Sequence, residues 1–211
     1  MQRKRRLVTL FTIFNKKHKI IFLDTSSPNI DTSKKVNIIL SPSLYWVKKL
    51  SLPIEKSSEV QKLLESIFED ILPAGDYSYS VYKENNYFIA FAYDDTLILN
   101  TLKEKGIKIR NVAGIYFAQK ELNFIDSATK INDTQSVFLK DDILILLPSE
   151  WVKDDEFFNI NKISLSNHTI RLAQFGHNTN NNKSFYKIGT TLIILISIII
   201  GEWIIINSKI S

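Results

Sequence analysis

The chain has 211 residues, with 27 basic side chains, 22 acidic side chains and no cysteine, which excludes disulfide bonds, thiolate metal sites and cysteine nucleophiles. Seven of the basic residues and none of the acidic ones lie in the first nineteen positions, so the rest of the chain holds 20 basic and 22 acidic residues, a net charge of −2. The positive charge therefore belongs to an N-terminal arm, and we expect no direct binding of nucleic acid by the folded body.

The basic arm carries two apolar segments, 7–14 and 19–25, around a turn-like polar stretch, which predicts a hairpin. Beside a membrane, its cations would bind anionic lipid at about 1 kcal/mol each, and the alternative is a solvated hairpin. The arm also resembles the start of a secretory signal peptide, but its apolar run is short, contains two threonines and lacks a small-residue cleavage site. Its cationic residues are Arg3, Lys4, Arg5, Arg6, Lys16, Lys17 and Lys19.

The next segment, 36–75, predicts a strand followed by a helix. Residues 36–50 read as an apolar strand or strand pair that ends before Leu52-Pro53. Ser58 and Gln61 have the spacing of a capping box, in which the two side chains satisfy each other's backbone amides. Apolar residues then recur at helical spacing from Val60 to Leu72, which predicts one unbroken helix that Pro73 ends.

A hairpin and a second helix complete the predicted subdomain. Residues 77–82 and 87–93 flank a turn at 84–86. Asp94 or Asp95 begins a helix that ends before Gly106, and residues 107–113 follow as a strand. Further along the chain, segments 136–139 and 143–147 predict another hairpin, and residues 163–172 a last strand.

The element order over 36–113 is that of a ferredoxin-like split βαβ subdomain, within an α+β fold that carries extra hairpins. Its expected strand order, 4-1-3-2, leaves segment 77–82 at an edge of the sheet. There the chain can add a partner strand through backbone hydrogen bonds, and the alternative is that other segments cover this edge. The candidate edge residues are Tyr77, Tyr79, Ser80 and Tyr82.

Residues 188–206 are almost wholly apolar and span roughly 28 Å as a helix, which predicts a single membrane span. Lys183 and Lys187 precede this segment and only Lys209 follows it, so we expect the N-terminal body to lie in the cytoplasm. The predicted organisation is an arm at 1–35, an α+β domain at 36–175, a polar tether at 176–187, the span, and a tail at 207–211. Representative membrane-embedded residues are Ile188, Leu192, Leu195, Ile199, Glu202 and Trp203.

Glu202 is the one charged residue inside the predicted span. A carboxylate within a membrane is by default a candidate for function, and it could pair with a polar group of another membrane subunit. Alternatively, its position near the outer end of the helix, beside Trp203, lets it reach the interface.

The residues that would carry catalysis are sparse. The three histidines, His18, His168 and His177, have no ligand spacing, and the six glycines are too far apart to form a phosphate-binding loop. Pairs of acids such as Asp94-Asp95 and Asp141-Asp142 fall at predicted turns and caps, where they are typical. We therefore predict a binding protein rather than an enzyme, with no cofactor and no metal.

Segment 40–83 resembles the cytoplasmic domain of the L-type platform protein of type II secretion systems, and it is similar to the actin-like M protein of type IV pilus assembly. In both families a strand ending in Leu-Pro leads to an amphipathic helix with acidic residues near its end, and a hairpin, a short helix and another strand follow. The single membrane helix is shared with the L-type protein. The matching positions are Leu50, Leu52, Pro53, Leu63, Leu64, Phe68, Glu69, Asp70, Leu72 and Pro73.

The resemblance implies a cytoplasmic scaffold that couples an assembly ATPase, or another cytoplasmic component, to the inner-membrane platform proteins of a pilus-like machine. Natural DNA uptake in transformation uses the same kind of machine. Two departures limit the likeness: the L-type protein has a periplasmic domain where residues 207–211 stand here, and the glycine-rich loops of the M protein are missing, so nucleotide binding is not implied. A generic membrane-anchored adaptor is the alternative.

Overall fold

The structure is a computed structural model that describes residues 18–30, 33–153 and 156–172. The chain divides into a unit at Met1–Ile170 and a unit at Arg171–Ser211, and only the first two residues of the second unit are described. The predicted tether and span, including Glu202 and Trp203, lie outside the described residues, as does the basic arm before His18. Within the described ranges, no helix has both the length and the apolar character needed to cross a membrane.

The described residues form nine strands, four short α-helices and four 3-10 helices. The strands are β1 (Lys19–Leu23), β2 (Val36–Leu40), β3 (Trp46–Leu50), β4 (Ser78–Glu84), β5 (Tyr87–Tyr93), β6 (Val112–Phe117), β7 (Thr129–Lys130), β8 (Gln135–Lys140) and β9 (Ile143–Pro148). The α-helices are α1 (Ser57–Gln61), α2 (Leu64–Phe68), α3 (Asp95–Glu104) and α4 (Ala118–Glu121). The 3-10 helices are Pro42–Leu44, Ile109–Asn111, Ser149–Trp151 and Ile160–Lys162.

These strands make three small sheets, which confirms an α+β fold. One sheet is parallel with the order β1-β2-β6, and the other two are antiparallel with the orders β3-β5-β4 and β7-β8-β9. Because β1 pairs with β2, the folded body begins before Val36, and Lys19 opens a strand of the parallel sheet.

The predicted single ferredoxin-like sheet is wrong, although each of its three expected pairings occurs. The last strand, predicted at 107–113, forms at Val112–Phe117, after the 3-10 helix Ile109–Asn111. Strand β6 pairs with β2, β3 pairs with β5, and β5 pairs with β4. The expected first strand, however, is interrupted by the 3-10 helix Pro42–Leu44, so its two halves join different sheets. Pro42 has no amide hydrogen for a strand ladder, and the Ser41 hydroxyl accepts a hydrogen bond from the Ser43 amide, which fixes the turn at this point.

Aromatic packing joins the parallel sheet to the sheet β3-β5-β4. The ring of Phe91 on β5 stacks on Phe117 of β6, with centroids 3.9 Å apart and planes 3° apart. Tyr45, in the short connection between β2 and β3, makes edge contacts with both rings. Its hydroxyl accepts a hydrogen bond from the Gln119 amide, so the polar end of this buried side chain is satisfied.

The predicted unbroken helix over 60–72 is also wrong. The chain turns at Lys62 and Leu63 between α1 and α2, and α1 begins at Ser57 without a side-chain cap. Val60, Leu64 and Phe68 are buried against the sheet β3-β5-β4, as the helical spacing predicts. Leu63 and Ile71, by contrast, are 43 % and 47 % exposed, because the apolar face of the helical segment is wider than the surface of a three-stranded sheet.

Helix α3 follows its prediction closely. The Asp94 carboxylate accepts hydrogen bonds from the amides of Thr96 and Leu97, which makes Asp94 the N-cap. At the other end Gly106 has a φ of 75°, and the Ile107 amide donates to the Leu102 carbonyl, as in a helix ended by a left-handed residue.

Two later strand predictions differ from the structure in opposite ways. The hairpin around Asp141 and Asp142 forms as predicted, with both residues at positive φ. The strand expected at 163–172 does not form. Residues 156–170, which we call the strap, instead cross the parallel sheet: Asn161 accepts from the Ile20 amide of β1, and the Ile170 amide donates to the Ile115 carbonyl of β6.

Candidate partner-binding edge

Strand β4 lies at an edge of the sheet β3-β5-β4, where the sequence predicts a partner-binding edge. The amide side chain of Gln61 donates to the Tyr79 carbonyl over 2.9 Å, so the backbone of Tyr79 points away from β5. Along a strand, the backbone groups of successive residues point alternately to one side and to the other. At the tight turn between β4 and β5, the backbone groups of Glu84 and Tyr87 bond each other. The outward residues of β4 are therefore Tyr79, Val81 and Lys83, and Ser80 and Tyr82 bond β5.

Part of this edge is closed by the chain itself. Gln61, at the end of α1, occupies the Tyr79 carbonyl, and the Lys83 ammonium group donates to the Glu55 carbonyl over 3.3 Å. Among the described residues, no hydrogen bond is made to the outward backbone groups of Val81. Segment 55–61 thus contacts β4 at Tyr79 and at the Lys83 side chain, and the outward backbone groups of Val81 make no hydrogen bond to described residues.

The four predicted edge side chains do not share one environment. Tyr79 lies on the helix-covered face with its ring 6.1 Å from Phe68, and Tyr77 makes an edge contact with Trp46. Ser80 and Tyr82 lie on the opposite face of the sheet, towards the parallel sheet. Only Tyr77 and Tyr79 are therefore placed to contact a ligand that approaches from the helix side.

Tyr82 belongs to the interior rather than to the edge surface. It is buried, its ring lies 5.7 Å from Phe91, and the Lys120 ammonium group sits 4.3 Å above it. Burial raises the pKa of Tyr82 far above its ordinary value, with a smaller contribution from the Glu84 carboxylate. Its hydroxyl stays neutral in any physiological range, and its side chain is not available to a partner.

An open groove of about 490 Å³ lies beside β4, between α2 with its following turn and the tyrosines. Tyr77 and Tyr79 form its aromatic wall, and Leu72 and Pro73 add apolar surface. Burial raises the pKa of Tyr79, and the nearby Glu65 carboxylate raises it further. The sequence reasoning missed this groove, because it arises only where the predicted helix ends and the chain returns to β4.

A buried polar cluster lies at the carboxyl ends of β1 and β2, and the sequence analysis missed it as well. Asp24 follows β1 and is 2 % exposed, and its carboxylate accepts hydrogen bonds from the Ser26 amide, the Ser26 hydroxyl and the Ser43 hydroxyl. Burial by itself would raise the pKa of Asp24, but hydrogen bonds from Ser43, Ser26, Gln135 and Ser41 outweigh it and hold the pKa well below its ordinary value. Polar residues directly after two neighbouring parallel strands are the signal that could have found this cluster.

The remaining candidate groups stand apart from the groove. Lys19 is exposed at the start of β1. His168 on the strap lies 5.9 Å from the Tyr82 ring. Over the described ranges, no three histidine, aspartate or glutamate side chains come together as a group that could hold a metal ion.

Comparison with known protein families and with curated proteins finds no match for this chain. Among solved structures, it is similar to the cytoplasmic domain of EpsL, an inner-membrane component of the type II secretion system of Vibrio cholerae. The TM-score is 0.42 and the sequence identity 16 %, over 62 % of this chain. The match spans 59 % of the length of that chain.

Proposed function

We propose that this chain is a non-catalytic scaffold, held in the bacterial inner membrane by the helix at 188–206. It couples a cytoplasmic assembly ATPase, or an accessory protein, to the membrane platform of a type II secretion or type IV pilus-like machine. Uptake of DNA in natural transformation is the process we favour for such a machine. The chain itself needs no nucleotide, metal or cofactor for this role.

The observation that carries the proposal is the half-open edge of β4 beside an unfilled groove. The elements that carry the sequence resemblance lie in one packed unit, and β4 is its border. These elements are the strand that ends at Leu50, the Leu52-Pro53 pair, the helical segment and the hairpin. That unit buries its apolar residues and leaves backbone groups and a groove at one border. Such a border suits the docking of a protein partner.

Affinity purification of the full chain from membranes, followed by mass spectrometry of the captured proteins, tests the proposal. The expected result is enrichment of a secretion-type ATPase or a multi-span platform protein. The variant Glu202→Leu separates attachment of a partner within the membrane from attachment through the cytoplasmic body. It removes only the charge in the predicted span and leaves the cytoplasmic body unchanged. Capture of neither class of protein would overturn the proposal in favour of a generic membrane-anchored adaptor.

A further inference from the structure

The groove beside β4 has a chemistry that specifies its ligand more closely. We infer that it binds a segment of a partner protein that carries arginine, with the guanidinium group held between the Glu65 and Glu69 carboxylates and the tyrosine wall. This inference rests on the proposed function and names the chemical class of the partner segment.

The charge of the groove lining favours a cation. Glu65 and Glu69 line the groove, and Lys62 is the one basic residue that lines it with them. Within the described residues neither carboxylate forms a salt bridge, whereas Glu59 on α1 is paired with Lys56. Glu65 and Glu69 are four positions apart on one helical face, an arrangement in which like charges destabilise a helix. A cation placed between them would relieve this repulsion.

The aromatic wall of the groove suits a planar cation. Tyr77 and Tyr79 line the same groove as the Glu65 and Glu69 carboxylates and belong to its strand side. Tyrosine faces attract cations within about 6 Å of the ring centroid. A guanidinium group is planar, so it can bond carboxylates through its edge while its face lies on a ring, which an ammonium group cannot do equally well. The lining therefore favours arginine over lysine.

The rest of such a segment would lie along β4. The groove borders the strand whose outward backbone at Val81 makes no hydrogen bond to described residues. A segment with one side chain in the groove is therefore brought next to free backbone groups. The chain's own basic arm carries arginines too, and the test below separates it from a partner.

The experiment uses the full chain in a non-ionic detergent and a fluorescent ten-residue peptide that contains two arginines separated by one serine. Binding is followed by fluorescence anisotropy at peptide concentrations up to about 1 mM. Matched peptides replace both arginines by lysine or by citrulline, which keeps the shape of arginine without its charge. The arginine peptide is expected to bind tightest and the citrulline peptide not to bind.

Two double variants locate the site. Glu65→Gln with Glu69→Gln should weaken binding of the arginine peptide about tenfold, since two exposed charge pairs are lost. The control variant, Glu59→Gln with Asp70→Asn, removes the same charge from the same segment outside the groove lining and should leave affinity unchanged. Circular dichroism of both variants checks that the fold is intact.

Equal weakening by the two double variants, or no binding of the arginine peptide at the highest concentration, would overturn the inference. A large gain of affinity when the arm residues Arg3–Arg6 are replaced by glutamine would assign the groove to the arm and also overturn it. These outcomes are independent of partner capture from membranes: a failed peptide titration with successful capture of the ATPase or platform protein rejects only this inference, and the reverse result rejects only the proposed function.

Discussion

The parallel sheet and the sheet β3-β5-β4, which share the central aromatic contacts, differ in the hydrogen bonds that their own chain makes at their edges. In the parallel sheet both edge strands carry hydrogen bonds from the strap, through Asn161 to β1 and through Ile170 to β6. In the sheet β3-β5-β4, the Tyr79 carbonyl at the edge accepts from the Gln61 side chain, and the outward backbone groups of Val81 make no hydrogen bond to described residues. The strap thus bonds both edges of the parallel sheet, and β4 is the edge at which we propose that a partner strand is added.

The carboxylates of the two regions also differ in how far they are bonded by their own chain. Around Asp24, a carboxylate at the end of a parallel strand is buried and fully engaged by hydroxyl and amide donors of its own chain. Beside β4, the Glu65 and Glu69 carboxylates are exposed and line an open groove. A carboxylate whose charge is stabilised by hydrogen bonds from its own chain supports stability, whereas we propose that the carboxylates facing the aromatic groove support recognition.

The largest expected effect comes from proline on β4. Ser80→Pro should lower the free energy of unfolding by about 2–4 kcal/mol, because the Ser80 amide faces β5 and its loss leaves a buried acceptor unsatisfied. Val81→Pro removes an amide that faces away from β5, and its reference is Val81→Ala, which also removes the valine side chain. Relative to Val81→Ala, it should lower the free energy of unfolding by less than about 1 kcal/mol. Denaturant unfolding of the full chain in detergent, followed by circular dichroism, measures both. The reverse ranking would show that the outward residues of β4 are assigned wrongly.

The next effect concerns the closed polar cluster. Asp24→Asn should destabilise the protein by about 2 kcal/mol, since the donors from Ser26 and Ser43 lose a charged acceptor in a buried site. Asp126→Asn is the matched control, because Asp126 is exposed, and it should stay within about 0.5 kcal/mol of the parent chain. The same unfolding measurement decides, and equal stability of the two variants would contradict the role of Asp24.

A smaller effect should appear as a dependence on pH. The folded-state pKa of Asp24 lies below its value of about 3.9 in the unfolded chain, so its contribution is fully present above the unfolded value and is lost as pH falls through the folded one. The stability difference between the parent chain and Asp24→Asn should therefore be constant from pH 7 to about 5 and shrink below about 4. A difference that grows on acidification would rule out a lowered pKa.

The smallest effect is local to the strap. Both carboxylate oxygens of the buried Glu121 accept from Ser166, one from its amide over 2.8 Å and one from its hydroxyl over 2.5 Å. Ser166→Ala removes the second bond and should cost about 1 kcal/mol. Hydrogen exchange should then speed up in residues 163–170 and leave β4 unchanged, and Ser164→Ala, at an exposed position, is the control.

The features that were best predicted from the sequence are those determined by residues close to one another along the chain. The hairpin β4–β5 follows from alternation on both sides of a short turn, and the ends of α3 follow from Asp94 and Gly106, whose side-chain and backbone preferences act over three or four positions. The edge position of β4 follows from the order of the elements. These features need no knowledge of distant parts of the chain.

What the sequence could not specify depends on residues far apart. The apolar run 36–50 suits one long strand or two; Pro42 allows a break locally, and only the pairing with β6 and β5 decides that the two halves join different sheets. The donors and acceptor of the Asp24 cluster come from turns after two different strands, so no local pattern contains them. The groove likewise joins α2 to β4 across the turn at 69–77, and its lining is visible only once the helix is known to end early.

The strap attaches at Asn161, Ser166 and Ile170, which are spaced along the chain and meet three different elements. A mechanical force that enters from the C-terminal side reaches these attachments one after another, beginning with the single bond from Ile170 to Ile115. The strap would then detach in steps, from the bond to β6, through the bonds between Ser166 and Glu121, to the bond between Asn161 and β1. Because these bonds lie in series along the chain, we expect a pull on the strap to load one edge of the parallel sheet first and the opposite edge last.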